Sequence, residues 1–200
     1  LVPSLATAIG SSGDRPAALA ELMGIIQNDG IRQPSVRIDS LHFAAATPYD
    51  TELVYDVRRG ERVLPTEVAA ALREALSQVV EAGTARRLHG SFSLADGTPL
   101  VLGGKTGTGD NRVENVTRGG HVLSSRAINR TATFVFYLGP RHFGTLTAFV
   151  PGEAADKFRF TSALPVQVLK GMAPILTPHL QPDSQTGCAI PASAAQVRNL

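Results

Sequence analysis

The chain has 200 residues, 43% of them hydrophobic, and a formal net charge of +2. It is too apolar and too weakly charged to stay disordered, and no run approaches the roughly 18 consecutive apolar residues of a membrane span. Sixteen Arg and three Lys stand against 17 acids without a basic block, and aromatics make up 6%, so neither charge nor stacking surface favours nucleic acid.

In chain order, the opening LVPSLATAIGSS has no basic n-region or apolar h-region and reads as mid-domain sequence. A fragment is therefore expected, with any export signal or anchor upstream. A first helix is predicted from Pro16 to Asn28, where Leu19, Leu22, Met23 and Ile26 recur at helical spacing and Gly30 can stop it. Ser35–Ala46 and Leu53–Val57 read as paired strands joined across Thr47–Asp50. A second helix is predicted from Thr66 to Ala82, with Thr66 as N-cap, a stripe of Val68, Leu72, Leu76, Val79 and Val80, and Gly83 just past its end. Leu100–Thr108, Thr131–Leu138 and Thr145–Val150 are predicted strands, the last two joined at Gly139–Gly144. Asp110–Arg130 is polar and reads as a solvent-exposed loop or insertion between two of them. A third helix is predicted from Ser162 to Ala173, closed by Pro174, and Thr177–Leu200 reads as a tail or linker. Short connections make the last three strands antiparallel neighbours, and the expected fold is α/β of the α+β type: an antiparallel sheet with helices on both faces.

The single cysteine, Cys188, allows neither an internal disulfide nor a cysteine-built zinc site, and the five histidines show no ligand spacing. The sharpest chemical feature is Gly103-Gly104-Lys105-Thr106-Gly107-Thr108-Gly109. A phosphate-binding loop would need a further glycine where Pro99 stands, and a helix opening at the lysine. Gly109-Asp110-Asn111 opens none. The alternative is the Lys-Thr-Gly strand of serine acyl-transfer enzymes. Two-residue periodicity puts Lys105 and Gly107 on one side, Thr106 and Thr108 on the other. The ammonium can attract a substrate carboxylate, the hydroxyls can hydrogen-bond it, and a glycine lets another group approach the backbone.

Residues 1–176 resemble the C-terminal half of the transpeptidase domain of class A penicillin-binding proteins. The resemblance runs through Leu5–Ser12, through Asn28-Asp29-Gly30 followed by Ile31 and Pro34, and through Val63-Leu64-Pro65. It continues in the run Val79–Ala85 ending in Gly83-Thr84-Ala85 about twenty residues before Lys-Thr-Gly, in Thr133–Gly139 after it, and in the final helix at Phe160–Leu176. It implies a β-lactamase/transpeptidase-like fold, incomplete here, with Lys105 as a catalytic residue and Thr106, Gly107 and Thr108 as substrate-binding residues. It further implies a peptidoglycan D,D-transpeptidase acting through an acyl-serine, with stem peptides and β-lactams as ligands. An upstream glycosyltransferase domain and membrane anchor, a periplasmic or extracytoplasmic location, and no metal or organic cofactor belong to the same expectation. The family's Ser-x-x-Lys and Ser-x-Asn motifs do not occur in the chain: Leu102, Ala154 and Gln167 stand three residues before the three lysines. The nucleophile is therefore expected on sequence upstream. A D,D-carboxypeptidase, a β-lactamase relative and a non-enzymatic β-lactam sensor share the strand and remain alternatives.

Overall fold

The computed structural model describes residues 13–38, 40–54 and 60–180. The segment Leu5–Ser12, the end of the predicted strand at Val57, Cys188 and the rest of the tail lie outside the described residues.

Helix α1 spans Pro16–Gln27, with the proline at its first turn, where the missing N–H costs no intrahelical bond. It ends as the glycine pattern predicts. Gly30 takes φ +85° and its N–H closes onto the Ile25 carbonyl. A Cβ there would collide with the Leu64 carbonyl. The Gly30 carbonyl accepts the amides of Val63 and Leu64, beside a two-residue pair of strands β1 (Ile31–Arg32) and β4 (Glu61–Arg62).

Strands β2 (Ser40–Phe43) and β3 (Thr51–Val54) form the predicted antiparallel pair, but as a separate two-stranded sheet and over a shorter span. Ala44 and Ala46 take positive φ, and the Thr47 amide and hydroxyl both donate to the Ala44 carbonyl. That turn consumes the last residues of the predicted first strand.

Helix α2 spans Thr66–Glu81. Pro65, not Thr66, is its N-cap, because the Pro65 carbonyl already accepts the Ala69 amide. The Thr66 hydroxyl instead accepts from Arg62 Nη1 at 3.0 Å.

The main sheet has order β5-β6-β7, all antiparallel: β5 (Leu102–Val116), β6 (Val122–Leu138) and β7 (His142–Pro151). Asp110–Arg130 is thus a β-hairpin rather than a loop. Beyond the Asn129↔Pro151 pair β7 stops, and β5 and β6 run on as a ribbon that buries only Ala127 and is otherwise largely open to solvent. Such a ribbon needs no apolar alternation, which hides it from a pattern search. Polar cross-strand bonds replace the core: Asn111–Asn129 at 2.7 Å, Arg112–Ser125 at 2.8 Å and Asn115–Ser124 at 2.8 Å. The turn closes through Thr117 N–H to His121 O, with Gly120 at φ +81°.

Helix α3 spans Ala163–Leu176 and passes through Pro174 instead of stopping there. In the last turn a proline forfeits a single intrahelical bond, and the Thr177 amide still reaches the Ala173 carbonyl. A 3-10 turn, Thr177–Leu180, follows, and its Leu180 joins the core. Packing therefore continues past Leu176, where the tail was expected to begin.

One face of the sheet carries Phe134, Phe136 and Leu138 at two-residue spacing. They meet Val166 and Leu169 of α3 and Leu88 and Phe92 of the connecting segment. The other face carries Tyr137 and Phe143, opposite each other in the register, and α1 lies on it with Gly24 against the Phe143 ring. Two glycines seat these rings: a Cβ at Gly104 would meet Phe134 Cε2 at 2.7 Å, and one at Gly103 would collide with Tyr137. No helix among the described residues is long and apolar enough to cross a membrane.

The Tyr137 hydroxyl donates to the Arg73 carbonyl at 3.0 Å. Burial, above all, pushes its pKa above the ordinary value, with Glu81 adding and Arg73 opposing. The fold thus favours the neutral phenol. Its contribution is complete below the unfolded value of about 10 and is lost as pH rises through the folded value. Urea midpoints should show the wild type ahead of Tyr137→Phe at pH 9, with the gap shrinking by pH 11. A gap constant over that range would refute the assignment.

Candidate functional site

Lys105, Thr106, Gly107 and Thr108 lie on β5, an outer strand of the main sheet. No other strand pairs with its outward edge among the described residues. An edge of this kind presents backbone donors and acceptors to whatever lies beside it. The placement on a strand removes the phosphate-loop alternative, since no helix opens at Lys105.

The predicted alternation holds. Lys105 is exposed and pairs with Val135, which pairs with Thr145; Gly107 pairs with Thr133, which pairs with Thr147. Thr106 and Thr108 take the opposite, core-facing side, in register with Phe134 and Ala132. The lysine and the two threonine side chains therefore leave opposite faces of the strand.

Each of the three polar side chains has a defined partner. Lys105 Nζ folds back and donates to the Thr106 carbonyl at 2.6 Å. The Thr106 hydroxyl, on a residue only 7% exposed, lies 2.6 Å from the Thr84 hydroxyl. A buried hydroxyl without a partner is costly, and Thr84 supplies one. The Thr108 oxygen accepts the Ser162 amide at 2.9 Å, immediately before α3. With an acceptor position filled, the Thr108 proton is the group left to donate outward.

Gly107 differs from Gly103 and Gly104. A Cβ at Gly107 would meet nothing within 4 Å. Internal packing among the described residues therefore does not require glycine there, whereas it does at the two seats upstream. On the same face as Lys105, the Thr145 hydroxyl is buried without a hydrogen-bond partner among the described residues.

Behind the strand, charged groups tie the base of the β5–β6 ribbon to the segment leading into α3. Arg112 bonds Asp156 at 2.6 Å, and Arg130 reaches Asp110 at 3.4 Å. Arg130 Nε also donates to the Phe160 carbonyl, and its guanidinium lies 5.6 Å from the centre of the Phe160 ring. Asp156, foremost through its hydrogen bond, together with Asp110 holds the Arg112 guanidinium above its ordinary pKa. Sequence reasoning missed this clamp and the Thr84–Thr106 and Thr108–Ser162 contacts. The partners are 20 to 54 residues apart, and nothing in their spacing announces them.

A pocket of about 560 Å³ lies between α1, α2 and the β6–β7 turn, lined in part by Gln27, Arg73, Leu100, Tyr137 and Pro140. None of residues 105–108 lines it. No group of three or more His, Cys, Asp or Glu side chains among the described residues could hold a metal ion.

No protein-family model matches the sequence, and no curated protein matches it. Solved structures do match. The D,D-transpeptidase domain of a peptidoglycan glycosyltransferase from Eggerthella lenta is 17% identical over 80% of this chain and 31% of its own, with a TM-score of 0.51. PBPA from Mycobacterium tuberculosis is 20% identical over 86% of this chain and 34% of its own, with a TM-score of 0.52. The ceftriaxone acyl-enzyme complex of penicillin-binding protein A from the same organism is 20% identical over 81% and 32%, with a TM-score of 0.50. The chain spans about a third of the length of these proteins. At this identity the likeness is one of fold: an incomplete transpeptidase-like architecture with antiparallel sheets and packed helices.

Proposed function

We propose that this chain is the C-terminal part of a serine D,D-transpeptidase domain that cross-links peptidoglycan stem peptides and is acylated by β-lactams. The observation that carries this reading is the placement of Lys105-Thr106-Gly107-Thr108 on the outer strand of a transpeptidase-like sheet. The class A assignment, with a glycosyltransferase domain upstream, rests on the Gly83-Thr84-Ala85 signature and its spacing from the strand. The likeness in fold does not select the class.

In this reading a serine outside the 200 residues attacks the penultimate D-Ala carbonyl of a stem peptide. The bond to the terminal D-Ala nitrogen breaks, that nitrogen leaves with a proton, and the acyl group stays on the serine as an ester. An amine of a second stem then displaces the serine, which recovers its proton. Splitting one amide exchange into two steps lowers each barrier. The chain's own part is recognition and charge. Lys105 attracts the terminal carboxylate, Thr106 and Thr108 donate hydroxyl protons to it, and Gly107 leaves room for the peptide beside the strand. The site would face the periplasm or the outside of the cell, held there by an anchor upstream of residue 1.

Incubating the full-length protein with a stem pentapeptide and an acceptor amine tests this. Cross-linked product with release of one D-Ala per link is expected. D-Ala release without cross-links would make it a carboxypeptidase. Turnover of β-lactam instead of peptide would make it a β-lactamase relative. A lasting β-lactam adduct with no peptide turnover would make it a sensor.

A further inference from the structure

We infer that Thr84 is a positioning residue that acts through Thr106. This inference rests on the reading of Thr106 as a binder of the substrate carboxylate.

The turn after α2 is built to hold Thr84 still. Gly83 N–H donates to Gln78 O, and a Cβ at Gly83 would meet Val79 Cα at 2.8 Å. On the other side Ala85 is fully buried, and its amide donates to Val79 O at 3.0 Å. Thr84 is pinned between them, and its hydroxyl lies 2.6 Å from that of Thr106. Thr106 in turn holds the Lys105 ammonium on its carbonyl. Two groups, the Thr84 hydroxyl and the Lys105 ammonium, therefore converge on Thr106, whose hydroxyl is aligned from a rigid turn 22 residues away.

Two hydroxyls at this distance share one proton between them, and either can donate. When a carboxylate docks against the strand, the Thr106 hydroxyl donates a hydrogen bond to the anion and the Thr84 hydroxyl donates one to the Thr106 oxygen. The Thr106 hydroxyl is then fixed as a donor, and the oxygen left behind is satisfied. Valine at position 84 fills nearly the same volume but removes this second donor.

The experiment compares second-order acylation of the full-length protein by a fluorescent penicillin for wild type, T84V, T84S, T106V and T84V/T106V. T84V should be slower by about 10-fold, the scale for one hydrogen bond that serves a charged ligand. T84S should stay within about 2-fold of wild type, since the hydroxyl is retained. The double variant should match T106V alone, because Thr84 acts only through the hydroxyl that T106V removes. T84S as slow as T84V, or T84V and T106V effects that multiply in the double variant, would overturn the inference while leaving the functional reading intact. T106V as fast as wild type would overturn the role given to Thr106 and the inference with it, and no labelling of wild type would overturn the functional reading as well.

Discussion

Lys105→Ala in the full-length protein should lower β-lactam acylation by about 10²-fold or more, the scale for one missing electrostatic contact at a reacting centre. The lysine is exposed on the outer strand, and its ammonium donates to the Thr106 carbonyl. Its removal takes away a charge rather than packing, so the thermal midpoint should hold while the acylation rate falls. Stopped-flow acylation beside a melting curve separates the two. A rate near wild type would remove Lys105 from the site, and with it the Lys-Thr-Gly assignment.

Phe134→Ala should have the opposite signature, a loss of about 3–5 kcal/mol of stability. Phe134 is fully buried, stacks on Phe136 with ring centroids 5.6 Å apart, and lies over the bare backbone of Gly104. Truncation opens a cavity at the meeting of β6, α3 and the turn segment, where Leu88, Phe92, Val166 and Leu169 converge. These neighbours are held by their own elements and close the space only in part. Urea unfolding of the domain measures the loss, and a change under 1 kcal/mol would contradict the packing. Phe134 pairs with Thr106 in the register, so residual protein should also be acylated slowly.

The helices were legible from sequence because apolar residues recur at spacings of three and four and because Gly30 and Gly83 close the first two. The buried faces differ from the predicted stripes: Leu22, Val68 and Leu72 are exposed, while Met23 and Ile26 of α1 and Ala69 and Val80 of α2 are buried. The terminus at Pro174 was misread because a proline in a last turn breaks too little to stop a helix. The strand carrying Lys105 was legible from its motif and from the β-branched, aromatic run at Thr133–Leu138 that pairs with it. The hairpin at Asp110–Arg130 was not, since a ribbon that buries only Ala127 carries no two-residue apolar alternation and looks like loop. At the site, Lys105, Thr106, Gly107 and Thr108 could be named from the motif alone. Thr84 stands in the Gly83-Thr84-Ala85 signature, but its contact with Thr106, like the Thr108–Ser162 and Arg130–Phe160 contacts, could not be read there, because these arise from chain reversals between residues far apart in sequence. The contrast between Gly104 and Gly107 is likewise visible only in three dimensions: one glycine seats a ring, the other borders open space.

The central claim is that these residues form the binding wall of a serine acyl-transferase whose nucleophile lies elsewhere in the polypeptide. Treating the full-length protein and the isolated 200-residue chain with the same β-lactam, then mapping the adduct by peptide mass analysis, tests it directly. The account predicts one acyl group on a serine of a Ser-x-x-Lys motif upstream of Leu1, and no stable adduct on the isolated chain. A single Lys–carboxylate attraction at an exposed strand is worth only about 1 kcal/mol and cannot retain the ligand alone. An adduct on any serine within residues 1–200, or none on the full-length protein, would contradict it.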